Sequence, residues 1–304
     1  MRLAKRVVLF VAVNVLIVAS LSILLSVLGI SPSLGGRELN LGTLAAFCLV
    51  WGFGGALISL ALSRVMAKWM MGVRLIDPDT RHPAEKDLVN RVHSYATQAG
   101  LTVMPWVGIY DSPELNAFAT GPTRNRALVA VSSGLLDSMD KSAVDGVLAH
   151  EVAHIANGDM VTMTLIQGVV NALVMFLARI VAWFAGQMVA EEKRPMVQFG
   201  IVLALELGLG VLGMMIVAHF SRGREYRADE GGARLAGTSK MIAALQGLKK
   251  AYALGGNEVP KDEQAPALAS LKISGKSGGF LQLFSTHPDL DDRIARLRDL
   301  NRAL

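Results

Sequence analysis

The sequence predicts a membrane protein of the α+β class: four hydrophobic, membrane-crossing helices, and polar segments that fold as helices around a small β-sheet. Three observations carry this. The chain is 52% hydrophobic and only 18% charged, with a mean hydropathy of +0.42, whereas globular domains are about 25% charged. Four apolar runs reach the ~20 residues that cross a bilayer. The polar segments mix helical periodicity with short runs rich in β-branched and aromatic residues.

The first apolar run, Val7–Gly29, follows the basic "MRLAKR". It exceeds the roughly 7–15 residues of a signal-peptide core, and no small-x-small cleavage site follows, so it reads as a retained anchor. The second run, Leu39–Leu62, contains "WGFGGA", whose small residues let helices approach closely. Next, "PAEKDLVNRVHSYATQAG" has proline at its start, apolar residues three and four apart, and Gly100 past its end, the pattern of a helix. "VMPWVGIYD", "LNAFATG" and "ALVAVSSGLL" are strand candidates, with "GPTRNR" as the turn between the last two. "SMDKSAVDGVLAHEVAHIANGD" is a helix that Asp140 or Ser138 could cap and Gly158 ends.

The third run, Val161–Val189, is interrupted only by Arg179, and the fourth, Met196–Phe220, contains Glu206 and His219. A charge in hydrocarbon seeks a partner or a wet cavity, so these two could pair across the helices, or Arg179 could snorkel and Glu206 be protonated. "SRGREYRADEGGARLAG" reads as a helix broken at Gly231–Gly232, and "SKMIAALQGLKKAYAL" as an amphipathic helix. Residues 255–279 read as a mobile loop, and "HPDLDDRIARLRDL" as a terminal helix with Pro288 in its first turn.

These elements divide the chain into residues 1–62, a first transmembrane pair; 63–160, a polar domain; 161–220, a second transmembrane hairpin; and 221–304, a second polar segment. The connectors 31–38 and 190–195 are short and carry no net charge. Apart from Arg37, Arg179, Lys193 and Arg194, all Lys and Arg lie in the N-terminus, in 63–160 or after 220. Cytoplasmic flanks carry the Lys/Arg excess, so both termini and both polar segments are expected in the cytoplasm. The net charge of +5 has this explanation, and no basic stripe interleaved with aromatics suggests nucleic acid. The single cysteine, Cys48, rules out an internal disulfide.

His150-Glu151-Val152-Ala153-His154 matches the H-E-x-x-H pattern. On a helix, residues four apart share a face, so both imidazoles can reach one zinc ion. Glu151, beside the first histidine, is placed to take a proton from the attacking water. A catalytic zinc needs a third protein ligand and an open position. No third histidine follows closely; Gly158-Asp159 stand there instead. The candidates beyond are Glu206, His219, Glu225, Asp229 and His287. Glu225 and Asp229 share a helix face, so the glutamate could bind metal while the aspartate accepts the free N–H of a ligand histidine. Glu225 could equally be an ordinary ion-pair partner of Arg222 or Arg224. His82, His93 and His219 lack partners at metal spacing.

"HEVAHIANGDMVTMTLIQGVVN", "SRGREYRAD", "ELNAFATG" and "STHPDLDDRI" together resemble the HtpX family of bacterial membrane zinc endopeptidases, related to the CAAX prenyl endopeptidases. The resemblance covers nearly the whole chain, including the four hydrophobic segments. It implies a zincin-like cytoplasmic catalytic domain with one zinc ion per chain. His150, His154 and Glu225 are then the ligands and Glu151 the catalytic base. It further implies an active site on the cytoplasmic side of the inner membrane, a role in stress response, and membrane proteins and unfolded polypeptides as substrates. Two weaker candidates remain. "LNAFATG" fits an edge strand on which substrate could add, with Asn116 and Ala117 in contact, or a plain structural strand. His287 could donate to the tetrahedral oxyanion, or could cap or pack near Pro288.

Two further readings stay open. A soluble zinc enzyme with a cleaved leader would not remain in washed membranes. A membrane scaffold or transporter with a non-catalytic metal site would use Arg179 and Glu206, and would leave Glu151 without a task.

Overall fold

The computed structural model describes residue 15 and residues 17–29, 39–254 and 283–303. Its helices are α1 (Ile17–Val27), α2 (Leu41–Met70), α3 (Pro83–Gln98), α4 (Ser133–Ser138), α5 (Lys141–Asn157), α6 (Asp159–Gln187), α7 (Arg194–Ala236), α8 (Thr238–Leu254) and α9 (Leu290–Ala303). Its strands are β1 (Arg74–Leu75), β2 (Trp106–Tyr110), β3 (Ala117–Thr120) and β4 (Leu128–Ser132). The described residues belong to two compact units, one within Met1–Ala61 and Thr162–Val217, the other within Leu62–Val161 and Ala218–Leu304.

The described apolar stretches of the first unit are helical, as a bilayer demands, because only helices or closed barrels satisfy every backbone group there. Three helices among the described residues are long and apolar enough to cross: α2, α6, and α7 with the short turn preceding it. Of the first predicted run, α1 is seen, and the rest lies outside the described residues, as does the connector 31–38. The expected role of "WGFGGA" holds at two of its glycines. A Cβ on Gly52 would stand 2.7 Å from the Ala172 backbone nitrogen, and one on Gly54 would stand 2.4 Å from Leu21. Arg179 and Glu206 do pair, at 2.7 Å, and Arg179 also donates to the Met175 carbonyl and lies over the Phe47 ring. Each charge therefore has a partner within the unit, which removes its main cost in hydrocarbon.

The second unit is built on a sheet of order β1-β2-β4-β3, with β2 parallel to β4 and the other pairs antiparallel. β4 is buried on both faces, which explains its continuous apolar sequence. Val107, Val129 and Val131 meet α3 and α5, through residues such as Leu88, Val92, Leu148 and Val152. The other face, with Tyr110, Phe118, Leu128 and Ala130, packs on Ala67 and Val73. β1 was not expected, being too short to show a period.

Several expectations need correction. The strand candidate "ALVAVSSGLL" ends at Ser132, whose hydroxyl accepts the Leu135 N–H and caps α4; the cap outcompetes further pairing. Pro288 lies ahead of α9, and Asp289 caps it by accepting the Asp291 N–H at 2.8 Å. The expected break at Gly231–Gly232 is absent, and the fourth run and the following segment form one 43-residue helix, α7. The glycines serve packing instead. A Cβ on Gly231 would stand 2.8 Å from Ala153 Cβ, and one on Gly232 would stand 3.1 Å from the His150 nitrogen. They let α7 pass close to α5, and the lost propensity, about 1 kcal/mol each relative to Ala, is offset by that contact. The predicted loop 255–279 lies outside the described residues.

Candidate active site

Helix α5 begins after Asp140, and Gly158, in the left-handed conformation with φ 71°, stops it. The turn at Gly158 lets α6 start at once with Asp159, so Asp159 folds back toward His154. From Ala143 to Ile155 α5 is almost wholly buried. His150, Glu151 and His154 thus sit in the protein interior rather than on a surface helix, and α7 brings Glu225 and Asp229 against them.

The three expected metal-binding side chains converge. His150 Nε2 and His154 Nε2 are 3.1 Å apart. Glu225 Oε2 lies 3.4 Å from His150 Nε2, and Glu225 Oε1 lies 3.3 Å from His154 Nε2. Tetrahedral ligands about 2.1 Å from zinc stand about 3.4 Å apart, so the triangle has the right size. Neither buried Glu225 oxygen makes a well-aligned hydrogen bond among the described residues, although nitrogens of His150, His154, Arg224, His287 and Arg293 stand 3.0–3.7 Å from them. Buried polar atoms are seldom left so, and two imidazole nitrogens meet across the same gap. A cation resolves both. No other group of three or more His, Cys, Asp or Glu among the described residues has this arrangement.

Each histidine is braced from behind. His150 Nδ1 lies 3.0 Å from Asp229 Oδ1, and His154 Nδ1 lies 2.7 Å from Asp159 Oδ2. These contacts fix which nitrogen faces the metal position. Burial lowers the pKa of His150, but Asp229 and Glu225 outweigh it and raise the value to about 9. The pKa of His154 is likewise raised, burial being outweighed by Glu225 and Asp159. The pocket is therefore tuned to hold positive charge. Burial raises the pKa of Glu151, and the nearby Ala119 backbone partly opposes it.

Two residues of this assembly escaped the sequence reading. Asp159 was read only as standing where a third histidine was absent. Arg293 is completely buried and grips Asp229 with two bonds, Nε to Oδ2 at 2.7 Å and Nη2 to Oδ1 at 2.6 Å. Its Nη1 lies 3.7 Å from Glu225 Oε2. The available signal was its position on the stripe of Leu290, Ile294 and Leu297, the core-facing side of α9.

His287 is brought to the site as well, with Nδ1 3.0 Å from Glu225 Oε2. Asn116 and Ala117 are buried beside β4. β3 is the sheet's edge strand. The Asn116 carbonyl accepts the Ser132 N–H, so by alternation the backbone groups of Ala117 and Ala119 face the open edge, the side where Glu151 meets Ala119. His82, His93 and His219 are not in the cluster; His93 bonds the Pro105 carbonyl instead.

The chain is similar to known peptidases over most of its length. The model of peptidase family M48 matches residues 83–301. A protease HtpX homolog of Bacillus velezensis is 51% identical over 301 residues, covering 97% of this chain and 99% of its own. The protease HtpX homolog of Bacillus subtilis is 51% identical over 302 residues with the same coverage. Protease HtpX of Shewanella halifaxensis is 49% identical over 301 residues, again 97% and 99%. Among solved structures, S. mikatae Ste24p matches with a TM-score of 0.66 at 18% identity, covering 97% of this chain and 64% of that one; this likeness concerns the fold alone.

Proposed function

We propose how this chain, which belongs to peptidase family M48 and is a membrane metallopeptidase, carries out its reaction: His150, His154 and Glu225 hold one zinc ion, and Glu151 is the general base. The observation that carries this reading is the triangle of ligand atoms formed by His150 Nε2, His154 Nε2 and the buried Glu225 carboxylate. Two imidazoles and a carboxylate are a donor set that suits zinc and leaves one position open. When bound there, zinc supplies Lewis acidity toward the scissile carbonyl and toward water.

The chain's own residues do the rest. Glu151 takes a proton from the attacking water as its oxygen bonds to the carbonyl carbon, and returns that proton to the amine nitrogen as the C–N bond breaks. Burial, which raises its pKa, suits it to both steps. Asp229 and Asp159 hold the two imidazoles in orientation, and Arg293 holds Asp229. The open edge of β3 at Asn116 and Ala117 takes the substrate as an added strand beside Glu151. His287 donates toward the tetrahedral oxyanion.

The substrates, in this reading, are cytoplasmic loops and tails of damaged or misfolded membrane proteins, cut just outside the lipid. The Lys/Arg distribution supports a cytoplasmic site. Chain continuity supports a juxtamembrane one, since Asp159 opens the apolar helix α6 and Glu225 is carried on α7. Residues 1–62 and 161–220 then serve as the membrane part, and 63–160 with 221–304 as the catalytic part.

The test compares wild type, Glu151→Gln and His287→Ala purified in detergent, with bound zinc and casein cleavage both measured. All three should retain about one zinc per chain, wild type alone should cut at full rate, and Glu151→Gln should be inactive. Undiminished cleavage by Glu151→Gln would sink the assignment of the base, and an unchanged rate in His287→Ala would sink the oxyanion role. Cleavage sites mapped to the middle of transmembrane segments would overturn the juxtamembrane reading.

A further inference from the structure

Helix α2 does not stop where its apolar run stops. Charges begin at Arg64, yet the helix continues to Met70. At 1.5 Å per residue those last turns rise about 9 Å. A bilayer's headgroup layer is about 5–8 Å deep on each side, so they run through it. On this stretch Val65 and Trp69, one turn apart, are exposed, Trp69 by 67%. A cytoplasmic helix end with no reason to meet lipid would not be expected to present an indole in this way.

The same level is marked by the sheet. The Arg64 guanidinium carbon lies 3.7 Å from the centre of the Trp106 ring, where β2 begins. Trp106 is nevertheless 51% exposed, as is much of Val103 just before it. Trp106 is therefore tied to the first helical turn after the apolar run. Arg126, from the turn before β4, is close enough to Arg64 to repel it. Among the described residues, none of Arg64, Lys68 and Arg126 has a carboxylate partner.

Single exposed apolar residues are ordinary on any protein. Two exposed tryptophans and two exposed valines, on the last turns of a membrane-crossing helix and on the strand end that Arg64 touches, together with three cations lacking a carboxylate partner among the described residues, form a different pattern. Tryptophan favours the membrane interface, where its ring is half in hydrocarbon and its N–H in the polar layer. Juxtamembrane cations are attracted to anionic lipid. We propose that the exposed side chains at the end of α2, Arg64, Val65, Lys68 and Trp69, with Trp106 and Val103 tied to them through Arg64, and Arg126, lie in the anionic phospholipid headgroup layer. The inference goes beyond the protease reading and uses none of the metal-site residues.

The experiment uses the full-length chain with Trp106 as its sole tryptophan (Trp51→Phe, Trp69→Phe, Trp183→Phe) in bilayers of phosphatidylcholine and phosphatidylglycerol. A second chain retaining only Trp51, inside α2, is the depth control. Bromine-labelled lipids carry the quencher either near the headgroup or near the bilayer centre. Trp106 should be quenched more by the shallow label, and Trp51 more by the deep one. Trp106 with the emission of a water-exposed indole and no quenching by either label, while Trp51 is quenched, would overturn the proposal. Preferential quenching of Trp106 by the deep label would overturn it too.

Shallow quenching should weaken in pure phosphatidylcholine, and the difference should vanish in Arg64→Gln/Lys68→Gln/Arg126→Gln. No difference in the unsubstituted background would overturn the anionic preference. Should the tryptophan variants fail to fold, a nitroxide on Val103→Cys gives the depth independently. Interface-level access to both oxygen and a water-soluble nickel complex supports docking, and access to nickel alone refutes it. Casein cleavage in detergent should be unchanged throughout, which separates a failure here from a failure of the catalytic assignment.

Discussion

At His150 and His154 the outward nitrogens share Glu225, and the inward nitrogens are each held by one aspartate, Asp229 or Asp159. A metal-binding histidine with its other nitrogen braced loses less freedom on binding, and removing such a brace costs about 10–100-fold in metal affinity. Asp159→Asn is therefore expected to weaken zinc binding by about that factor while the protein stays folded, measured by competition with a chromophoric chelator. An unchanged affinity would show that the 2.7 Å contact is incidental. Arg293 is a different case, because its loss leaves Asp229 buried without its main counter-charge. Breaking a buried pair from one side costs about 3–5 kcal/mol. Arg293→Met should lower thermal stability markedly, and Arg293→Met/Asp229→Asn should recover part of it. Equal destabilisation in the single and double variants would refute the coupling.

Among elements, the crossing of α5 and α7 matters most, since it carries all three proposed ligands. The two helices approach so closely that Gly231 and Gly232 have no room for a Cβ. Gly231→Ala should push the helices apart at Ala153 and diminish zinc content and turnover together. Gly223, on the same helix, has nothing within 4 Å of a built Cβ. Gly223→Ala should stabilise by up to about 1 kcal/mol through helix propensity alone, with zinc content unchanged. Thermal unfolding and metal analysis of the two variants side by side distinguish packing from propensity. If both behave alike, the close-approach account fails.

For the whole molecule, the Arg179–Glu206 pair is the one salt bridge that joins α6 to α7 among the described residues of the apolar unit. A lone charge at the centre of a membrane helix costs about 2.5–3.5 kcal/mol on insertion scales, and a buried pair can often be replaced by apolar residues without loss. Arg179→Leu and Glu206→Leu should each destabilise the protein in a bilayer. Arg179→Leu/Glu206→Leu should be close to wild type in both stability and casein cleavage. A double variant that is stable but inactive would show that the pair serves the reaction and is more than a structural lock.

The long apolar runs, the proposed ligand pair His150 and His154, the proposed base Glu151, and the helices from Pro83 and Thr238 were legible because each depends on spacing within one segment. Hydrophobic length, four-residue helical spacing and local punctuation by Pro and Gly are properties of neighbours in the chain. Resemblance to known sequences added Glu225, which spacing alone left among five candidates. Only the tertiary structure could decide the rest. Nothing local distinguishes Arg293 from the exposed arginines around it, and its value lies in Asp229, 64 residues away. Gly231 and Gly232 look like a break until α5 is found against them. The metal position itself is a meeting of α5 with α7, and such a meeting is decided by packing between segments far apart in sequence, which no local pattern encodes.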